Sequence, residues 1–316
     1  MPSALHRAGA AALATLLATA TPLVAHTPLS AQPAPPHNVI LFVPDGLRGA
    51  MVDATTAPAM EAMREAGVGF ANSHSIFPTF TTANASTMAT GHLLGDTGDF
   101  SNTIYVGYKV PAAAFSMTPF LEADPVIADV DERFGGNYLD EDAILALAHA
   151  QGYQTASIGK VGPVAIFDAA DTAGTRTLVI DDNTGRGGRP IPDWVASGLT
   201  QTTGMAQAPT RMGNGFAGDA STPGTNVTNA GQQDWFLAAA TRVVLPAFKA
   251  SGKPFAMVFW SRDPDGTQHN QGDSPQSLTP GINGPTSLAA IRNADNDLRT
   301  LRTTLHALGL DATTDV

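Results

Sequence analysis

The chain has 316 residues, contains no cysteine and carries a formal net charge of −11, with 14% charged residues. This acidic balance argues against binding to a nucleic-acid backbone or duplex as the main task. The lack of thiols excludes disulfides and thiolate metal ligands, so any metal must be held by oxygen and imidazole.

The first 31 residues are predicted to be an export signal. Arg7 gives a short n-region its positive charge, and residues 8–25 are apolar and rich in alanine. A retained membrane anchor is the alternative, but threonines and a proline interrupt the run, and a proline-rich linker follows at 32–37. No later stretch is long and apolar enough to span a bilayer. We therefore expect a secreted or periplasmic protein with one large domain, 38–316.

The predicted elements alternate between strands and helices. Strands are expected at 38–44, 153–158, 177–180 and 254–260, and helices at 57–65, 82–90, 140–150, 232–250 and 287–308. The alternation predicts an α/β fold, a largely parallel central sheet with helices on both faces. Ligands of such sheets bind at the C-terminal ends of the strands.

Two of the predicted helices and one long segment have special features. The helix at 140–150 is expected to begin with an acidic first turn, and the helix at 232–250 is interrupted near Pro246. Residues 183–230 are rich in Gly, Thr, Asn and Pro, which predicts a loop or cap insertion over the site and no core elements.

Candidate metal ligands follow two of the predicted buried strands. Asp265 and His269 stand four residues apart in a glycine-containing loop after the strand 254–260, and Asp45 follows the strand 38–44 in the same way. Carboxylate and neutral imidazole are good ligands for Zn²⁺ and similar ions. An ordinary polar loop, or a turn-forming aspartate at Asp45, is the alternative interpretation.

Residues 77–84 (FPTFTTAN) supply hydroxyls at the start of a short helix. Free backbone N–H groups and the helix dipole favour an anionic group such as phosphate there, and a hydroxyl bound to a metal becomes a nucleophile. Asn84, one turn further on, has an amide that can donate to a phosphoryl oxygen. Thr and Asn are also common helix caps, and without Asp45 and Asp265 capping is the preferred interpretation.

Three segments in this order resemble the alkaline phosphatase superfamily: Pro44-Asp45-Gly46, FPTFTTANASTMATG at 77–91, and DPDGTQH at 263–269. The type I phosphodiesterase/nucleotide pyrophosphatase branch is the most similar one, because the monoesterase branch uses a serine nucleophile and the Cys/Ser-x-Pro-x-Arg signature of sulfatases is missing. The resemblance implies an alkaline-phosphatase-like fold and hydrolysis of a small-molecule phosphate ester or nucleotide.

The resemblance also implies two divalent metal ions, usually zinc. Asp45 would hold one ion, Asp265 and His269 would hold the other, and Thr81 would be the nucleophile beside the metal. Asn84 would contact the phosphoryl oxygen, and transfer would proceed in two displacements through a phosphothreonine.

Two departures from the family pattern bear on this interpretation. Residues 93–98 (LLGDTG) stand where related diesterases carry a Pro-Asp-x-His-Gly-like turn, which leaves the substrate open. The chain also stops before the Ser-Asp-His-Gly segment and the later His that complete both metal sites in the family. The fold is therefore expected to be incomplete at the C-terminus, and this polypeptide is expected to show little or no catalysis.

Further candidates are weighed beside these residues. They are Thr82 as a fallback nucleophile, His74, His92 and His306 as substitute ligands, and Lys160, at a strand end, as a contact to a substrate anion. A charged residue that caps the strand is the alternative for Lys160. Three functions stay open: the diesterase or pyrophosphatase, a phosphomonoesterase or phosphonate hydrolase of the same superfamily, and a non-catalytic remnant or binding protein. No oligomeric state is predicted.

Overall fold

The computed structural model describes residues 37–210, 228–269 and 284–316. The predicted export signal and nearly all of the predicted linker lie outside these residues, as do residues 211–227 of the predicted cap. Among the described helices, none has the length and apolar character needed to cross a membrane.

Five parallel strands form one sheet in the order β3-β2-β4-β1-β5. They are β1 (Asn38–Pro44), β2 (Gln154–Gly159), β3 (Thr177–Asp181), β4 (Phe255–Ser261) and β5 (Thr314–Asp315). The central strand β4 is a nearly continuous apolar run because both of its faces are covered, as is usual in parallel sheets. The predicted α/β fold with a parallel central sheet is confirmed.

The described α-helices all lie between β1 and β5 in the chain. In the described part of the chain they are α1 (Pro58–Ala66), α2 (Thr81–Thr90), α3 (Leu94–Thr97), α4 (Asp124–Arg133), α5 (Ile144–Ala150), α6 (Pro163–Ile166), α7 (Asp193–Thr203), α8 (Ala230–Ala238), α9 (Leu245–Ser251), α10 (Asp265–Gln268) and α11 (Pro285–Ala307). A π-helical turn, Ala239–Val244, joins α8 to α9.

Separate clusters of buried side chains cover the two faces of the sheet. On one face, Phe255, Met257 and Phe259 of β4 pack with residues of α7, α8, α9 and α11. On the other face, Val258 and Trp260 pack with residues of α2, α4, α5 and α6. Successive side chains of a strand point to opposite faces, so one apolar strand serves both clusters. The predicted helices on both faces are therefore present.

The helix predicted at 140–150 begins later than expected, at Ile144. Asp140 has a φ of +56°, and its Oδ1 accepts a hydrogen bond from Asn137 Nδ2 at 2.7 Å. The acidic residues thus belong to a turn that precedes the helix, so the prediction of an acidic first helical turn is wrong.

The sequence predicts no core element in the segment 183–230. This prediction is wrong for α7, which lies in that segment and packs in the core. Val195 and Leu199 lie one helical turn apart on α7, and both are fully buried in the cluster that covers β4. The Gly- and Thr-rich composition concealed this short apolar stripe. That the rest of the segment forms a cap remains a prediction.

Candidate active site

Charged side chains gather at the C-terminal edge of the sheet. Asp45 follows β1, Lys160 follows β2, Asp182 follows β3 and Arg262 follows β4. The strands are parallel, so these four positions meet at one edge, which is where ligands bind in open α/β sheets.

The Lys160 ammonium lies in the middle of this group. Only 3% of the Lys160 side chain is exposed, so its charge needs partners. Its Nζ lies 2.7 Å from Asp45 Oδ2, 3.1 Å from Glu122 Oε1 and 3.1 Å from Asp265 Oδ2, and it donates to Thr81 Oγ1 at 3.2 Å. The sequence predicted Asp45, Thr81, Asp265 and Lys160 as site residues, and the structure brings all four together.

Burial and these contacts set the charges of the group. Burial alone would lower the pKa of Lys160, but Asp45, Glu122 and Asp265 raise it above its usual range, so the amine is a permanent cation. Burial raises the pKa of Asp45, although the charge of Lys160 opposes this. Burial would also raise the pKa of Asp265, but its contacts with His269 and Lys160 hold it well below its usual range.

Backbone contacts hold Asp45 and Asp265 side by side. The Asp45 N–H donates to Ser261 O at 3.0 Å, and the Asp265 N–H donates to Asp45 O at 2.9 Å. Gly46 has a φ of +69°, and a Cβ there would lie 3.0 Å from Asp265 Cβ. Glycine at position 46 therefore allows the close approach of the two aspartates.

The first residue of α2, Thr81, supplies the hydroxyl of the site. Its Oγ1 accepts the hydrogen bond from Lys160. The neighbouring Thr82 is fully buried, and its Oγ1 donates to Asp99 Oδ1 at 3.2 Å. The hydroxyl of Thr82, the fallback nucleophile, is thus engaged in the core beneath α2.

Asn84 binds the loop that precedes α2. Its Oδ1 accepts from the Ile76 N–H at 2.9 Å, and its Nδ2 donates to Phe80 O at 2.9 Å. The bond to Phe80 uses one of the two amide hydrogens. A role in phosphoryl binding stays a prediction for this residue.

The histidines differ in their distance from the site. His269 Nε2 lies 3.1 Å from Asp265 Oδ1, and 71% of its side chain is exposed. The three histidines weighed as substitute ligands make contacts elsewhere: His74 with Ser75 O, His92 with Asp96 and Glu141, and His306 with Asp311. The structure therefore places only His269 beside the predicted metal ligands among these four.

Glu122, Asp182 and Arg262 belong to the site but were not predicted. Arg262 is buried and forms an ion pair with Asp182. Burial would lower the pKa of Arg262, but Asp182, Glu122 and Asp45 raise it. The strand-end rule that found Asp45 would also have found Asp182 and Arg262, whereas Glu122 follows no strand.

The donor atoms of the site are of the kinds that bind divalent cations. Oxygens of Asp45, Thr81 and Asp265 converge on the Lys160 nitrogen, and such oxygens are good ligands for hard and borderline divalent ions. Within the described ranges, however, no group of three or more His, Asp or Glu side chains has the arrangement of a metal site. The binding of two zinc ions therefore remains a prediction.

One protein-family model matches the sequence of this chain. The model of the family described as type I phosphodiesterase / nucleotide pyrophosphatase matches residues 39–316. Among solved structures, the chain is similar to yidJ, a candidate sulfatase from Bacteroides fragilis, with 15% sequence identity and a TM-score of 0.46. The match covers 90% of this chain and 62% of that one, so the chain spans less than two thirds of its length. No curated protein matches the chain.

Proposed function

Because the chain belongs to the type I phosphodiesterase / nucleotide pyrophosphatase family, we propose that it is a metal-dependent phosphoric ester hydrolase with Thr81 as its nucleophile. The observation that carries the proposal is the 3.2 Å contact between Thr81 Oγ1 and the Lys160 ammonium, at the start of α2. A positioned hydroxyl beside a place that holds a cation, either the ammonium or a metal ion, is what phosphoryl transfer needs, since the protein acts mainly through positioning and electrostatics. The proposed substrate is a small phosphate diester or nucleotide.

Thr81 is the group that attacks phosphorus in this proposal. Without metal, the Lys160 ammonium donates to the Thr81 oxygen and holds it in place. The Thr81 proton passes to solvent water as the oxygen attacks. The positive end of the α2 helix dipole favours phosphoryl oxygens nearby. The bond from Thr81 Oγ1 to phosphorus forms as the bond to the leaving oxygen breaks, and water then hydrolyses the phosphothreonine.

The metal ligands in this proposal are Asp45, Thr81, Asp265 and His269. Carboxylate oxygen and imidazole nitrogen suit zinc, the ion that we propose. When bound, the metal supplies Lewis-acid stabilisation of charge on the phosphoryl group and on the nucleophile. Asn84 is proposed to donate its remaining amide hydrogen to a phosphoryl oxygen.

A phosphate-ester-binding protein without turnover is the second candidate function. It is favoured by the position of Lys160, whose cation already neutralises the carboxylates of Asp45 and Asp265. Turnover of any phosphate ester by the pure protein separates the two functions. The ratio of turnover on bis(4-nitrophenyl) phosphate to that on 4-nitrophenyl phosphate then separates a diesterase from a monoesterase.

The substitution Thr81→Ala tests the nucleophile. With Zn²⁺ and bis(4-nitrophenyl) phosphate, the wild-type chain is expected to release nitrophenolate slowly, and mass spectrometry after an acid quench is expected to find the phosphoryl adduct on Thr81. T81A is expected to lower kcat about a thousandfold or more, because the covalent step is lost.

The matched control is Thr82→Val, which removes the neighbouring hydroxyl and keeps the side-chain shape. It is expected to keep turnover within about tenfold of the wild type, because Thr82 Oγ1 faces Asp99. An adduct on Thr82, or full activity in T81A, would contradict the assignment. Substrate binding without turnover or adduct in the wild type would favour the binding protein.

A further inference from the structure

The Lys160 ammonium makes its hydrogen bonds with the same atoms that are proposed to bind the metal. Nζ lies 2.7 Å from Asp45 Oδ2, 3.1 Å from Asp265 Oδ2 and 3.2 Å from Thr81 Oγ1. These three oxygens belong to three separate elements and converge on a single nitrogen. A metal ion held by the same oxygens would take the place of that nitrogen.

We infer that Lys160 and a divalent metal ion compete for the oxygens of Asp45, Thr81 and Asp265, and that the metal displaces the ammonium toward Glu122. The inference rests on the proposed metal-dependent function and adds to it a residue that sets metal affinity. Mutual exclusion follows from charge, because two cations this close in a buried site repel each other strongly.

Glu122 is suited to receive the displaced ammonium. Its Oε1 lies 3.1 Å from Lys160 Nζ, and among the carboxylates of the described residues that contact Nζ it is the one that is not a proposed metal ligand. The Lys160 side chain is almost fully buried, and a buried ammonium that lost all of its partners would be strongly destabilised. The flexible stem of a lysine allows the movement while the pairing with Glu122 is kept.

Local packing keeps Glu122 beside Lys160. Gly162, two residues after Lys160, has a φ of +90°, and a Cβ there would lie 2.7 Å from Glu122 Cα. Asn102 Nδ2 approaches Glu122 Oε1 at 3.4 Å, and Asn102 Oδ1 accepts the Thr82 N–H at 2.9 Å. Glu122 is thus attached to the turn after β2 on one side and to the first turn of α2 on the other.

The competition gives Lys160 two effects of opposite sign. Without metal, the ammonium neutralises Asp45 and Asp265, so the carboxylates stay together at the strand ends. With metal present, the same ammonium lowers the apparent affinity, because only molecules whose ligands have released it can bind. Removal of Lys160 should therefore lower the stability of the metal-free protein and raise its affinity for the metal.

Two substitutions with opposite expected results test the inference. Calorimetric titration of the metal-stripped full chain with Zn²⁺ is expected to show about tenfold tighter binding in Lys160→Met, the result if the ammonium holds the ligands in about nine molecules of ten. Glu122→Gln is expected to bind Zn²⁺ several-fold more weakly, since the displaced ammonium loses its charged partner. The exposed Lys109→Met is the matched control and should bind like the wild type.

Thermal unfolding supplies a second readout. Metal-free K160M is expected to melt below the wild type, and saturating Zn²⁺ is expected to raise its Tm more than that of the wild type. Equal or weaker Zn²⁺ binding in K160M, with intact binding in the wild type, overturns the competition and leaves the proposed function standing. Failure of the wild type and both variants to bind Zn²⁺ overturns the inference and the metal-dependent function together. If K160M does not fold, E122Q decides alone, and unchanged or tighter binding overturns the inference.

Discussion

The position of Lys160 depends on the residue before it. Gly159 has a φ of +132°, and a Cβ at this position would lie 1.9 Å from Trp260 O of the adjacent strand. No side chain fits between β2 and β4 at this point. The turn that directs Lys160 toward Asp45 and Asp265 therefore requires glycine.

Gly159→Ala is expected to destabilise the protein strongly. The collision is with backbone, which cannot move without breaking the β2–β4 pairing, so we expect a loss of roughly 3 kcal/mol or more in the free energy of unfolding. Urea denaturation measures it. The control is Gly91→Ala, at a φ of +75° with no atom within 4 Å of the added Cβ, which should lose only about 1 kcal/mol. Equal losses at the two positions would mean that the contact with Trp260 is not the reason why position 159 requires glycine.

Two buried carboxyl groups lie next to the site without forming part of it. Asp181, the last residue of β3, and Asp124, on α4, are both buried. Burial, with the neighbouring charges of Asp124 and Asp182, raises the pKa of Asp181 well above its usual range. A side-chain hydrogen bond to Asp124 also favours the protonated form of Asp181.

This proton makes the stability depend on pH. The folded state binds it more tightly than the unfolded chain, so the stabilisation is complete below the pKa of an unfolded aspartate, about 4, and is lost as the pH rises through the raised pKa of the folded state. Asp181→Asn keeps a donor toward Asp124 at every pH. It is expected to raise the free energy of unfolding by roughly 1–3 kcal/mol at pH 7.5 and to have little effect near pH 4.

Urea denaturation from pH 4 to pH 8 measures this difference. Asp142→Asn, at an exposed site two residues before α5, is the control and should give a difference from the wild type that does not vary with pH. A pH-independent effect of Asp181→Asn would show that the protonated pair is not its source.

Single residues of the site were predictable to different degrees. Asp45 and Asp265 follow apolar strands, and Thr81 stands where a helix begins, so their meeting at one sheet edge follows from the fold. The central position of Lys160 was not predictable from the sequence, because a lysine at a strand end can equally well be a charged residue that caps the strand. Glu122 lies in a region without periodic pattern, and only the close approach at Gly162 brings it to the site.

At the level of elements, apolar runs and helical spacing located most segments but not their ends. The interruption expected near Pro246 is present as the π-helical turn that leads into α9. The caps are harder to predict because some come from distant residues. The residue before α1, Ala57, makes no side-chain cap. Asp295 of α11 accepts the Ala59 N–H at 3.1 Å and the Met60 N–H at 2.9 Å in its place.

This tertiary cap predicts an effect of Asp295→Ala. The buried N–H of Met60 and the part-buried N–H of Ala59 would lose their acceptor, so the free energy of unfolding should fall by roughly 1–3 kcal/mol. Denaturant titration checks the value, and the exposed neighbour Asn296→Ala should change it by at most about 0.5 kcal/mol. Equal effects at both positions would argue against the cap.

At the scale of the whole molecule, the alternation of strands and helices predicted a parallel sheet but not its order. The order β3-β2-β4-β1-β5 places β4 between two strands that precede it in sequence. Burial on both faces of β4 agrees with its apolar sequence, yet the neighbours of a strand depend on crossovers that local patterns do not encode.

The same strand order determines at which stage of chain synthesis the site can form. Asn38 Oδ1 accepts the Phe255 N–H at 3.1 Å across 217 positions of sequence. At a synthesis rate of about 5–20 residues per second, β1 waits roughly 10–40 s for β4 to be made. Asp45 is thus among the first site residues to leave the ribosome, but it gains its neighbours only late. During that interval the apolar β1 is exposed to misassembly, and a chaperone that shelters it would act before any part of the site exists.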